Sequence, residues 1–435
     1  MHTVGRPKLT TNVMVQHIIN KRNSKPKSAF TSIMLTLLLF SYLFQYSLSF
    51  LGLPEQLHST RVSAIILIIC AISKSLIDRN NLISKYSCAY KSYKQYVKLC
   101  LSLLVFSCLQ YIIIGKIEGV HLFEQMLNII LFSLPVIWAI QVIFKDLSYF
   151  MKILLWVGII QSIIIVICLS SPNVAQLIDL TFNRSADDWI ALHRTGYAGG
   201  IGCITSSGVV RFSLSLVACV YLYIKEKRWV YLGVYIALFI VSSFIARTGL
   251  LYGIIGLFFI LKGVSFRYKI IVVLFLVIAS SLILCSVPSD QITQIMDEQL
   301  FRYTYLYEDG LNDAFFSKYF KGDATSIPML NLDTFFGTGM VSGKAGNGQI
   351  VNVDGGYLRL YSAIGLLCTL VYYLCVFSCF YNLIKRANNY VLKCTMLFLT
   401  ISLVIAEFKE MAFISVWALS FYFSIAMLVY KPITK

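Results

Sequence analysis

The chain has 435 residues, 58% of them hydrophobic and only 13% charged, with a mean hydropathy of +0.76. A soluble domain is roughly 45–50% apolar and about 25% charged, so a soluble globular protein is excluded and a membrane-filling one is expected. The formal charge of +17, from 37 Lys and Arg against 20 Asp and Glu, reads as topogenic positive-inside charge. No nucleic-acid partner is expected.

Residues 1–29 form a basic tail with Arg6, Lys8, Lys21, Arg22, Lys25 and Lys27 and no acid. The apolar run starts only at Phe30, later than in a cleavable signal peptide, so an uncleaved first helix with a cytoplasmic tail is expected. Residues 30–435 then read as a single membrane-embedded domain. About twenty apolar residues are needed to cross the hydrocarbon, which predicts twelve spans near 30–53, 62–77, 97–115, 122–144, 153–171, 209–224, 229–246, 248–261, 268–287, 357–384, 392–406 and 411–430. The stretch 230–261 is split at Arg247 because one helix of that length would be about 48 Å long. The stretch 392–430 is split in the same way at Glu407-Phe-Lys409-Glu410.

With the N-terminus inside, the inner side receives most of the 37 basic residues but only Asp78, Asp146 and Glu226 of the 20 acids. Both termini are then cytoplasmic. Two long loops face outward, 172–208 and 289–356. The second is polar and aromatic, and ends in the glycine-rich run from Gly337-Thr-Gly339 to Gly348, followed by Asp354-Gly-Gly-Tyr357-Leu-Arg359. Long loops of this kind in a compact fold are usually functional. No internal repeat is visible, which disfavours a transporter built from duplicated halves.

Neither a nucleotide nor a metal site is expected. Gly343-Lys344-Ala345 lacks the hydroxyl residue of a P-loop, and no HExxH occurs. The 12 cysteines lie mostly within apolar runs; Cys375 and Cys379, one helical turn apart, read as packing. No cofactor follows from these patterns.

The arginines carry more information. Arg194, Arg211, Arg247 and Arg359 all fall at or just below the outer interface in the predicted topology. Any one of them could snorkel to headgroups. Four at one depth point to an anionic ligand, since guanidinium forks match phosphate oxygens. Asp354, Glu407 and Lys409 occupy the same layer, with His193 beside Arg194. Asp354, Glu407 and His193 are the candidate bases, and Tyr357 offers a ring face to a sugar.

Three patches together resemble the Wzy-type O-antigen polymerases, within the O-antigen polymerase/ligase superfamily of C-type membrane glycosyltransferases. They are Arg194-Thr-Gly-Tyr197 through Ser207-Gly-Val-Val-Arg211, then Ser243-Phe-Ile-Ala-Arg247-Thr-Gly249, and finally Gly337-Thr-Gly339 followed by Asp354-Gly-Gly-Tyr357-Leu-Arg359 and Gly365. The resemblance implies an all-α, GT-C-like helix bundle in the bacterial inner membrane. It implies a substrate, the undecaprenyl-diphosphate-linked glycan, and a chain-length regulator as a possible protein partner. Arg194, Arg211, Arg247, Arg359 and Lys409 would then hold diphosphate or glycan. An O-antigen ligase is the near alternative, disfavoured because 289–359 contains no histidine. A lipid-linked oligosaccharide flippase is the alternative of another class.

Overall fold

The structure is a computed structural model. It describes residues 29–52, 54, 58–77, 88–114, 120–144, 146–182, 201, 206–245, 247–262, 335–337, 339, 343–344, 350–351, 356–387, 389–409 and 411–429. The first helices are α1 (Ala29–Leu43), α2 (Ser59–Ile77), α3 (Cys88–Ile114) and α4 (Val120–Asn128), which runs through a π-helical turn (Ile129–Ser133) into α5 (Leu134–Ile143). Next come α6 (Leu147–Ser170), α7 (Pro172–Phe182), α8 (Ser206–Glu226), α9 (Trp229–Ile245) and α10 (Arg247–Lys262). A two-residue antiparallel pair, β1 (Gly343–Lys344) with β2 (Ile350–Val351), precedes α11 (Gly356–Lys385), α12 (Tyr390–Lys409) and α13 (Ala418–Val429).

Among the described residues, 7 helical stretches are long and apolar enough to cross a membrane. The chain is an all-α helical membrane protein. Seven of the predicted spans fall on these stretches, and those at 30–53, 229–246, 248–261 and 411–430 fall on shorter apolar helices; the one at 268–287 lies outside the described residues, as does the basic tail up to residue 28.

Helix α8 is the axis of the bundle, with 94% of its apolar window buried against 22% for α2. It packs on α6, α9, α10 and α12. Its small polar residues serve this position: Ser215 Oγ donates to the Leu154 carbonyl of α6 at 2.9 Å. Pro135 has no N–H and would clash with the carbonyl four residues back. The π turn immediately before it removes that conflict by shifting the hydrogen-bond register. The pair α9 and α10 crosses closely because Gly249 and Gly253 present bare backbone to Ser242 and Phe239; a Cβ at either glycine would overlap them. Arg247 is therefore the first residue of α10, as the predicted split requires.

One end of the bundle is basic. Lys74 Nζ donates to the Ile143 carbonyl at 3.0 Å, so a cation from α2 caps the C-terminal end of α5. Lys152 on α6 pairs with Glu226 on α8 at 3.0 Å, and Tyr231 donates to the same carboxylate at 3.0 Å. Lys74, Lys152 and Glu226 fall on one side in the topology that the charge pattern predicts.

Three expectations need correction. The first span does not reach residue 53: α1 stops at Leu43 and the chain continues irregularly to a 3-10 turn, Ser49–Leu51. Its peptide groups there bond to neighbours instead, as when Ser47 N donates to the Phe182 carbonyl at 2.9 Å. The loop 172–208 opens as a helix, since Pro172 at a helix start forfeits no hydrogen bond. The last span is helical only from Ala418; in the non-helical stretch before it Ala412, Phe413, Ile414 and Trp417 are buried.

Candidate functional site

The opposite end of the bundle holds its two buried charged side chains, Arg211 and Glu407, among the described residues. Arg211 lies near the start of α8 and is 9% exposed. Its guanidinium carbon sits 5.4 Å from the ring centre of Trp417. A guanidinium over an indole face is attracted by the ring quadrupole, which offsets part of the cost of burial. Glu407 lies near the end of α12 and is 5% exposed. Its Oε1 accepts the Tyr373 hydroxyl at 2.6 Å and its Oε2 accepts the Phe413 amide at 2.7 Å. Both are short hydrogen bonds.

Both residues act on the same piece of chain. Residues 411–417 join α12 to α13 as unwound backbone, with Phe413 fully buried. Within a bilayer such backbone persists only where protein or an enclosed aqueous cavity satisfies it. Here side chains do so: Glu407 takes the Phe413 N–H, Tyr372 donates to the Phe413 carbonyl at 2.7 Å, and Tyr42 donates to the Val416 carbonyl at 3.2 Å. Trp417, at the end of the segment, meets Arg211.

The wall beside this segment is α11, which is two arms and not one rod. Gly365 has φ 79 and ψ 169, a conformation essentially restricted to glycine. An unbroken helix would hold Tyr357 and Tyr373 about 24 Å apart along its axis. Instead the Tyr357 ring meets Phe408 at 5.8 Å while the Tyr373 hydroxyl meets Glu407, the residue before it. The kink is locked by the glycine-rich run. Gly339 N donates to the Ala363 carbonyl at 2.9 Å, and the Gln110 amide of α3 donates to both the Phe336 carbonyl at 2.9 Å and the Ala363 carbonyl at 3.1 Å. Gly337 and Gly339 are buried, so this part of the predicted outer loop is packed structure. Backbone without Cβ atoms can approach the kink closely enough to pair with it.

The structure therefore gathers Arg211, Glu407 and Tyr357 around residues 408–417. Arg359 follows Tyr357 on the first arm of α11 and is half-buried. Tyr357 packs on an aromatic neighbour, which occupies at least part of the face expected to receive a sugar. Arg247 heads α10 and Lys409 closes α12, but their side chains lie outside the described residues, as do His193, Arg194 and Asp354 altogether.

Tyr372, Tyr373, Trp417 and Gln110 were not singled out from sequence. A tyrosine or glutamine inside an apolar run does carry one signal, since its buried polar atom needs a partner; the partner's identity is not in the sequence. Chemically, Glu407 keeps lone-pair capacity beyond its hydrogen bonds from Tyr373 and from the backbone of Phe413 and Ala412, and Arg211 supplies a fixed positive charge in a buried setting.

Compared with protein families, with curated proteins and with solved structures, the chain matches none.

Proposed function

We propose that this protein is a glycosyltransferase of the O-antigen polymerase type, which joins lipid-linked repeat units at the periplasmic face of the bacterial inner membrane. In this reading the chain has a GT-C-like architecture, crosses the membrane twelve times and keeps both termini in the cytoplasm. Its substrates are undecaprenyl-diphosphate-linked glycans.

The observation that carries the reading is the placement of Arg211 and Glu407. They come from different helices, are both buried, and flank one unwound segment at the end of the bundle opposite the basic one. Ionisable groups inside a membrane protein mark functional paths by default. The reaction would break the sugar–oxygen bond to the diphosphate and form one to an acceptor hydroxyl. The hydroxyl proton passes to a carboxylate, for which Glu407 is the candidate among the described residues. The diphosphate leaves with the bonding electrons, and Arg211 stabilises the charge developing on it. Arg359, with Arg194 and Arg247, would complete the anion site, and Asp354 and His193 remain candidate bases.

The test is a deletion strain complemented with Arg211→Ala or Glu407→Gln. Gel profiles of its surface polysaccharide should collapse from a ladder to a single repeat on the lipid core, with the variant protein still in the membrane. A full ladder from both variants overturns the proposal. Loss of even the single repeat points to a ligase instead.

A further inference from the structure

Helices α3 and α11 run antiparallel. The Gln110 amide meets the Ala363 carbonyl near one end, and the Cys379 thiol approaches the Ser92 carbonyl at 3.8 Å near the other. The start of α3 therefore lies at the end of the bundle away from the kink. Between the two helices is a groove of about 560 Å³. Tyr96 and Phe423 line its buried side, stacked with ring centres 4.9 Å apart. Toward the start of α3 the lining is polar, with Gln95, Lys98 and Ser378; toward the kink it carries the exposed Val371 and Leu374. Ser102 also lines it, with its hydroxyl donated to the Lys98 carbonyl at 2.9 Å.

Lys98 belongs to a row. Lys91, Lys94 and Lys98 are all exposed, and at about 100° per residue they fall within about 60° of one another around α3. Neither α3 nor α11 carries an acid. Among the described residues, none of the three ammonium groups has a carboxylate partner. From Leu99 to Ile114, α3 has no charge. That stretch is about 24 Å long, most of a roughly 30 Å hydrocarbon core. Lys98 thus stands at the edge of the core, where a lysine reaches the headgroup layer.

We infer that this groove binds an anionic phospholipid, its phosphate on Lys98 and an acyl chain over Val371 and Leu374, with Lys91 and Lys94 adding to the attraction. The occupant needs both chemistries. A soluble anion would leave the exposed apolar part unused, and a zwitterionic lipid would gain little from three uncompensated positive charges. The groove lies at the other end of the bundle from Arg211 and Glu407, and the inference stands whether or not the chain is a glycosyltransferase.

The experiment is native mass spectrometry of the full chain released from nanodiscs of equal parts phosphatidylglycerol and phosphatidylcholine. Retained phosphatidylglycerol should exceed phosphatidylcholine at least about fivefold, the factor expected of one lysine near the surface. Lys98→Gln should lower that ratio about fivefold. Lys393→Gln, which changes an exposed lysine of α12 that does not line the groove, should leave it unchanged. Phosphatidylglycerol with a photoreactive acyl chain should label Val371 and Leu374. Cys375→Trp, at an exposed lining position, should fill the groove and lower retention of both lipids. Equal retention of the two lipids by the native chain overturns the inference. So does an equal loss from Lys98→Gln and Lys393→Gln, which would mean diffuse attraction to a basic surface, or labelling outside the groove.

Discussion

Gly337 and Gly365 meet backbone to backbone: a Cβ built on Gly337 would lie 2.5 Å from Gly365 N, and one built on Gly365 would lie 2.7 Å from Gly337 N. Neither position has room for a side chain, and both have positive φ. Gly365→Ala should therefore cost at least about 1–3 kcal/mol from the backbone conformation alone, before the overlap is counted. A lowered unfolding midpoint in detergent would show it. An unchanged midpoint would mean that the two glycines are not in contact.

The second expectation concerns Gln110, whose amide holds the Phe336 carbonyl next to that contact. Gln110→Leu leaves this carbonyl without its side-chain donor, at a cost of about 1–3 kcal/mol. The Ala363 carbonyl keeps the Gly339 amide and should suffer less. Hydrogen exchange should quicken at residues 335–339 while the core of α8 is unaffected.

Glu407 has a structural duty and a proposed chemical one, and two variants separate them. In Glu407→Gln the side-chain oxygen can accept the Phe413 amide while its NH₂ donates to the Tyr373 oxygen. Stability should change by less than about 1 kcal/mol, with polymer lost. Glu407→Ala strands both the Phe413 amide and the Tyr373 hydroxyl, costing about 1–3 kcal/mol for each buried group. If the Gln variant made normal polymer, Glu407 would be a clamp only.

Arg211 and Trp417 make a further pair to test. Arg211→Lys keeps the charge but loses the flat guanidinium that lies over the indole. It should show shortened polymer where Arg211→Ala shows none. Trp417→Leu removes the ring alone and should cost about 0.5–2 kcal/mol of stability. Thermal unfolding of the four proteins, read beside their gel ladders, checks both statements.

Much of this is legible in the sequence. The helices follow the apolar runs closely, and Arg247 divides α9 from α10 as helix length demands. The basic end was visible as a charge pattern, and Lys152, Glu226 and Arg228 do meet there. Hydropathy failed where buried chain is not helical. It weighs side-chain atoms, so Met411 through Trp417 looks like the start of a span. What unwinds that stretch is a set of distant polar partners, Tyr42, Tyr372 and Glu407, and periodicity cannot register them. Arg211 and Glu407 were legible because charge is rare in apolar sequence. Tyr373 was not, because a tyrosine there looks like any other packing residue.

The unwound link before α13 also bears on biogenesis. Of the side chains that receive its peptide groups, Tyr42, Tyr372 and Glu407 precede it in the chain and Ser420 of α13 follows it. Synthesis runs from the N-terminus, so Tyr42 and Tyr372 are made before the helix they help to seat. Its entry completes the assembly as a latch does, and chains truncated before residue 411 would carry the empty socket into the membrane.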